Sequence, residues 1–262
     1  MPDIVTSPQN PQLKLARKLQ RRRPRETERL FLVEGEDLVR AGLATGATPR
    51  VIFFDADRHP EIDETTVPGL VLHVEADLLR TVSELAHAPR VMGIFAMPEP
   101  APLTTLLAAR PAPWIVLDGI GDPGNVGTVL RTAAAFGAGG VITLPGTADV
   151  YGSKALRASM GAVFRLPIVP VASVEEVLAL RAQLPDLRVV ALDGGGTTLL
   201  QHVPAAPHTL LVLGAEREGV TAELLDAADL TARIEQDPDV ESINVGVAAS
   251  LALYEWSRGA GS

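Results

Sequence analysis

The sequence predicts two α/β units in tandem: a smaller one, then an open parallel sheet with helices on both faces. Three observations carry this. Residues 30–95 alternate short strand-like runs with helical periodicity, as a βαβ pattern does. Prolines crowd residues 98–113, at Pro98, Pro100, Pro102, Pro111 and Pro113, which marks a semi-rigid linker. From Trp114 onward, short apolar runs suited to buried parallel strands alternate with helix-spaced segments, and the turns between them are rich in glycine. The expected domains are therefore 1–97, a linker at 98–113, and 114–262.

In chain order, Leu13, Ala16 and Leu19 recur every three residues among Lys and Arg, so residues 11–23 read as a basic amphipathic helix. Strands are expected at 30–33, 51–54, 70–74 and 91–95, with helices at 37–43 and 76–84 between them. A short helix at 103–109 interrupts the linker. In the second unit, strands are expected at 114–117, 141–144, 168–171, 188–192, 210–213 and 230–234. Helices are expected from Val126 through Ala134, and at 153–160, 174–183, 223–228 and 245–256. Ligands of such sheets bind beyond the carboxyl ends of the strands, where the glycine-rich turns fall.

Composition narrows the function. The chain has 262 residues, is 47% hydrophobic, and has no apolar run near the roughly 20 residues that a membrane span requires. A soluble cytoplasmic protein is expected, with no membrane partner. Without cysteine there is no disulfide, thiolate nucleophile or cysteine-based zinc site, and His73 and His87 are too far apart to pair, so no metal is expected. Charge is segregated. The first 29 residues hold eight basic side chains against three acidic ones, a local +5, so the remainder carries −14 of the total −9. A face built from Lys14, Arg17, Lys18, Arg21, Arg22 and Arg23 suits a polyanion, and RNA or DNA contact stands beside the alternative of a solvated basic helix.

Gly119-Ile-Gly121-Asp-Pro-Gly124 follows a strand and opens a helix, as a dinucleotide fingerprint would. That fingerprint needs an acidic residue at the end of the second strand, which here ends Leu144-Pro145, and Pro123 stiffens the loop. A nicotinamide enzyme is set aside on those grounds. At the other end of the chain, Ser242 and Asn244 stand at the mouth of the last helix, where free N–H groups favour either a cap or an electron-rich ligand.

Four segments carry a resemblance: Asn125-Val-Gly127-Thr-Val-Leu-Arg131, Ser159-Met-Gly161-Ala-Val-Phe-Arg165-Leu-Pro167, Leu213-Gly214-Ala-Glu216-Arg-Glu-Gly219, and Ser242-Ile-Asn244-Val. In this order and spacing they resemble the SpoU, or TrmH-like, RNA 2′-O-ribose methyltransferases of the SPOUT class. The first unit is similar to the substrate-binding domain that many such enzymes carry. The resemblance implies a SPOUT-type sheet with a C-terminal trefoil knot, a homodimer, S-adenosylmethionine as cofactor, and methylation of a ribose 2′-hydroxyl in ribosomal or transfer RNA, and the extra first unit with its basic helix favours ribosomal over transfer RNA. It also implies that Leu213, Gly214, Ile234, Ser242 and Ile243 line the cofactor site, and that Asn125, Arg131, Glu216, Ser242 and Asn244 form the catalytic set. Arg131 is expected to act as a positioned cation, since a guanidinium is a poor proton acceptor near neutrality. Glu216 is expected to pair with it, and Asn125 to cap the helix or orient Arg131. Family members usually have Ile-Pro-Met-x-Gly where this chain has Ile234-Glu-Gln-Asp-Pro238, and Asn-Val-Ser where it has Asn244-Val-Gly246. A non-catalytic RNA-binding or ribosome-assembly factor with a degenerate cofactor pocket is the alternative these changes suggest.

Overall fold

The computed structural model describes residues 4–58, 61–99, 101–204, 206, 208–237, 239–240 and 242–259. The chain divides into two compact units, and neither is a single stretch of sequence. Residues 1–98 and 149–164 make the first; 99–148 and 165–262 make the second.

In the first unit, β1 (Ile4–Val5) is followed by α1 (Pro11–Leu19) and α2 (Arg22–Glu28), then by β2 (Leu30–Glu34), α3 (Glu36–Ala44) and β3 (Pro49–Asp55). The chain continues through β4 (Leu70–Val74), α4 (Ala76–Arg80) and β5 (Val91–Ala96). The sheet order is β1-β4-β3-β5-β2. It is mixed, because β5 runs antiparallel to both β2 and β3 while β1, β4 and β3 are parallel. The single basic helix expected over 11–23 is two helices. Asn10 caps α1 through Gln12 N at 2.9 Å, the first helix stops at Gln20, and Pro24 sits in the first turn of α2, where its missing N–H costs nothing. Leu13, Ala16 and Leu19 are all buried in the core of this unit, as their spacing predicts. The helix expected over 76–84 stops at Arg80, and Ser83 turns its hydroxyl onto the buried Glu34 carboxylate, which also accepts from Glu84 N.

The later segment of this unit contains α7 (Ser153–Ser159). Tyr151 and Phe164 pack tilted against Phe31, with ring centroids 4.8 Å and 5.5 Å away, and Phe164 meets Phe95 edge-on at 5.0 Å. Burial pushes the Tyr151 hydroxyl up to about 12. Asp149 takes both Nε and Nη2 of Arg25, whose Nη1 donates to Leu19 O at 2.6 Å; Arg25 is only 6% exposed.

The second unit begins with α5 (Leu103–Ala109), β6 (Trp114–Asp118), α6 (Pro123–Ala135) and β7 (Gly140–Thr143). It resumes at β8 (Ile168–Pro170), α8 (Val174–Leu178), β9 (Arg188–Leu192) and β10 (Thr198–Leu199), and ends with β11 (Thr209–Gly214), α9 (Ala222–Ala227), β12 (Leu230–Arg233) and α10 (Val245–Gly259). Seven strands in the order β10-β12-β9-β11-β6-β7-β8 form an all-parallel sheet. Alternate residues feed its two faces. Trp114, Val116, Val189, Ala191, Leu210 and Val212 pack with Leu107, Val177, Leu180 and Leu224 of α5, α8 and its 3₁₀ extension, and α9. The helix expected over 174–183 is thus α-helical only to Leu178, tightening to 3₁₀ over Ala179–Ala182. Both faces being buried explains why these strands read as continuous apolar runs.

Candidate functional site

The polar cluster of the second unit is assembled by three loops at the carboxyl ends of β6, β11 and β12. After β6, Asp122 caps α6: its carboxylate accepts from Gly124 N at 2.7 Å and Asn125 N at 3.0 Å, with Pro123 opening the helix. The cap expected of Asn125 is therefore Asp122. This frees the Asn125 side chain, whose Nδ2 donates to Glu216 Oε1.

Glu216 sits in a hairpin-like loop after β11, closed by Ala215 N to Gly219 O at 3.1 Å and Gly219 N to Ala215 O at 2.9 Å. Gly214 makes that closure possible. A Cβ there would run into the backbone of Gly219 and Val220, and Gly219 itself turns with φ +71°.

Asn244 joins the other two. Its Nδ2 donates to Asn125 Oδ1 at 2.9 Å and approaches Glu216 Oε1 at 3.4 Å, while its Oδ1 accepts from Gly246 N at 2.9 Å and caps α10. Gly246 has no side chain to hold α10 off α6: a Cβ would stand 2.9 Å from Thr128 Cγ2. A turn further on, Thr132 and Ser250 hydroxyls meet at 3.0 Å across the same pair of helices.

So Asn125, Glu216 and Asn244 form one hydrogen-bonded triangle. Arg131 is not part of it. Six residues beyond Asn125 on α6, it lies about 120° round the helix and ~9 Å along it, exposed and without a partner among the described residues, so Glu216 pairs with the two asparagines instead. Ser242 is exposed and likewise has no partner among the described residues.

Of the residues expected at the cofactor site, Leu213 is buried at the end of β11, Gly214 follows it half-buried, and Ile234 and Ile243 are half-buried just past β12 and just before α10. Two residues past Ile234, Gln236 keeps its Oε1 buried without a hydrogen-bond partner. Pro238 and Glu241 lie outside the described residues. An orphaned acceptor, a loop that only glycine allows, and apolar flanks fit a ligand that brings its own donors, as S-adenosylmethionine does. Among the described residues no group of three or more His, Cys, Asp or Glu could hold a metal ion.

In the first unit, Lys14, Lys18, Arg21, Arg22 and Arg23 are exposed. Arg17 is half-buried and donates to Pro8 O at 2.9 Å and Thr81 Oγ1 at 3.0 Å, and Arg22 pairs with Glu26 at 2.8 Å. The hydrogen bond to Glu26 raises the Arg22 pKa above its ordinary value.

Comparison with known proteins places both units. Residues 113–254 match the SpoU rRNA Methylase family, and residues 10–93 match the MRM3-like substrate binding domain. The Bacillus subtilis 23S rRNA (guanosine(2553)-2′-O)-methyltransferase RlmP is 32% identical over 95% of this chain and 97% of its own. The SpoU methyltransferase AviRb from Streptomyces viridochromogenes, solved in complex with the cofactor AdoMet, superposes with a TM-score of 0.87 at 27% identity, covering 97% of this chain and 99% of that one. An AdoMet-bound rRNA methyltransferase from Sinorhizobium meliloti gives a TM-score of 0.84 at 30% identity, covering 98% of this chain and 97% of that one.

Proposed function

The chain belongs to the SpoU rRNA methylase family, and from that membership we propose that it moves a methyl group from S-adenosylmethionine to a ribose 2′-hydroxyl of structured RNA, ribosomal in preference to transfer RNA. The observation that carries the reading is the Asn125–Glu216–Asn244 triangle at the carboxyl end of the sheet. The cofactor, when bound, supplies a methyl group whose sulfur leaves neutral. What remains for the protein is the weak nucleophile: the hydroxyl must be held in line while its oxygen gains charge.

In this reading Leu213, Gly214, Ile234, Ser242 and Ile243 hold the cofactor, and Arg131 grips a phosphate beside the target or the emerging alkoxide. Glu216 fixes the rotamers of Asn125 and Asn244, so that their remaining amide positions meet RNA without first losing rotamer freedom. The first unit, residues 1–98 completed by 149–164, serves through Lys14, Arg17, Lys18, Arg21, Arg22 and Arg23 as the RNA substrate-binding part, and the second, residues 99–148 and 165–262, carries out transfer, with the expected linker over 98–113 largely taken into the second unit through α5. Because Arg17 and Arg22 are already engaged within the protein, Lys14, Lys18, Arg21 and Arg23 contribute most to the phosphate grip.

The active form is a homodimer. Its support is α10, which carries two apolar stripes. Val245, Ala249, Ala252 and Leu253 are buried, whereas Val247, Leu251 and Tyr254 recur at the same spacing and stand 49%, 39% and 47% exposed, with Phe136, just past α6, edge-on to Tyr254 at 6.0 Å. A second copy is the occupant that lets both stripes be buried. The C-terminal trefoil knot belongs to the same proposal, supported by a chain that places β11 between β9 and β6, returns to the far side of β9 as β12, and then packs α10 on α6. A cytoplasmic setting, with ribosomal RNA at hand, goes with it; among the described residues no helix is long and apolar enough to cross a membrane.

The test is methyl transfer to RNA from cells lacking the protein, with 2′-O-methyl sites mapped by their resistance to alkali, beside calorimetry with S-adenosylmethionine. Arg131→Ala is expected to abolish transfer and to bind cofactor within about threefold of the parent. Undiminished turnover by that variant sinks the role given to Arg131, and no heat from the parent at high micromolar cofactor sinks the reading as a whole.

A further inference from the structure

Register places one unassigned carboxylate in the middle of the proposed cofactor loops. Leu192, the last residue of β9, pairs with Leu213 of β11 on one side and with Ala232 of β12 on the other. Asp193 therefore leaves the sheet between Gly214 and Arg233, level with both. Its backbone is pinned there: Asp193 N donates to Ala232 O at 2.9 Å, and Gly196 N donates to Asp193 O at 3.0 Å.

The two carboxylate oxygens differ. Oδ1 accepts from Gly195 N at 2.8 Å. Oδ2 has no hydrogen bond or ion pair among the described residues, and it faces the loop after β11, 3.7 Å from where a Cβ on Gly219 would stand. Space is kept open on the Asp193 side, since a Cβ on Gly194 would meet nothing within 4 Å. Asp193 is half-buried, and its Oδ2 stands as a charged acceptor open to the donors a ligand brings, the kind of acceptor that makes the strongest hydrogen bonds. The loop after β12 repeats the feature with the orphaned Oε1 of Gln236. Two acceptors without protein partners, on the loops that leave the neighbouring strands β9 and β12, match a ligand that presents several donors.

We propose that Asp193 Oδ2 accepts hydrogen bonds from the ribose hydroxyls of the cofactor's adenosine. The proposal rests on the S-adenosylmethionine reading above and names a binding residue within it. A vicinal diol offers two O–H donors side by side, and a carboxylate just past a strand end is the acceptor that dinucleotide-binding sheets use for the same group. In this chain the carboxylate comes after β9, next to β11 and β12, whereas the Gly119-to-Gly124 motif directs attention to the end of β7. Asp193 is thus a specificity residue for a ribonucleoside over a deoxyribonucleoside ligand.

Calorimetry on the full chain tests it, with S-adenosylhomocysteine and its 2′,3′-dideoxy counterpart as the two probes. Asp193→Asn keeps an acceptor for Gly195 N and is expected to melt with the parent. It should bind S-adenosylhomocysteine about 10- to 100-fold more weakly, the range for losing hydrogen bonds to a charged group. Removing the hydroxyls from the ligand should cost the parent a similar factor and cost the variant less than about threefold, because the two deletions remove one interaction. Equal loss of affinity for both probes in the variant overturns the proposal by marking Asp193 as merely structural. So does a parent that binds the dideoxy probe as tightly as the ribose one, a result that needs no variant to fold. A parent that binds S-adenosylhomocysteine beside an indifferent Asp193→Asn overturns this assignment alone, whereas a parent that binds neither probe overturns it together with the cofactor reading.

Discussion

The amide of Asn244 divides its hydrogen bonds between two tasks, Oδ1 capping α10 and Nδ2 reaching Asn125 and Glu216. Substitution can separate them. Asn244→Ser keeps a capping oxygen but is too short to reach the triangle, so stability should hold within about 0.5 kcal/mol. Methyl transfer should fall by about 10²- to 10³-fold, the cost typical of removing one positioned donor. Asn244→Ala should match that loss of activity and add a loss of about 1 kcal/mol. Urea melts and single-turnover rates on the two variants check this; full activity in Asn244→Ser would count against the triangle. At this scale the sequence identifies Asn125, Glu216 and Asn244 through the resemblance, but not their mutual bonds. Glu216 as the partner of Arg131 is a natural expectation from charge alone. The structure shows why charge misleads: helical pitch turns Arg131 away, and Asp122, one residue before Pro123, takes over capping and leaves Asn125 free.

Among elements, the strands are the most legible because burial on both faces makes each a short apolar run, and β6, β9 and β11 follow their expected spans closely. The two-residue strands β1 and β10 carry too few side chains to leave any periodic mark. Nor does local pattern give strand direction, so the antiparallel pairing of β5 could not be read from it. α2 exposes the limit of a charge-based reading. Arg25 belongs by composition to the basic stretch, yet it is buried with Asp149, more than a hundred residues away. Removing one partner of such a pair strands the other charge in a dry site. Asp149→Ala is therefore expected to lower unfolding stability by about 3–5 kcal/mol, and pairing it with Arg25→Met should recover a large part of that. Equilibrium denaturation of the single and double variants measures it; a single variant within about 1 kcal/mol of the parent would refute the expected loss.

For the whole molecule, the exposed stripe of α10 makes the sharpest prediction. Leu251→Glu places a charge in the middle of Val247, Leu251 and Tyr254 while leaving the buried stripe toward α6 intact. Its expected outcome is a monomer by sedimentation at concentrations where the parent is a dimer, with a melting transition still cooperative. Parent and variant sedimenting alike would remove the support for a second copy at this face. The division into units has a consequence of a different kind. Because residues 149–164 complete the first unit, the chain passes between the units three times, near residues 98, 148 and 164. A protease acting in the proline-rich stretch would cut only one of those passages. Residues 1–98 released alone would lack Tyr151, Phe164 and Asp149, leaving Phe31, Phe95 and Arg25 without the groups that cover and neutralise them. The first unit can therefore be exchanged between related proteins only together with its late segment, so in modular recombination the two must travel as one piece.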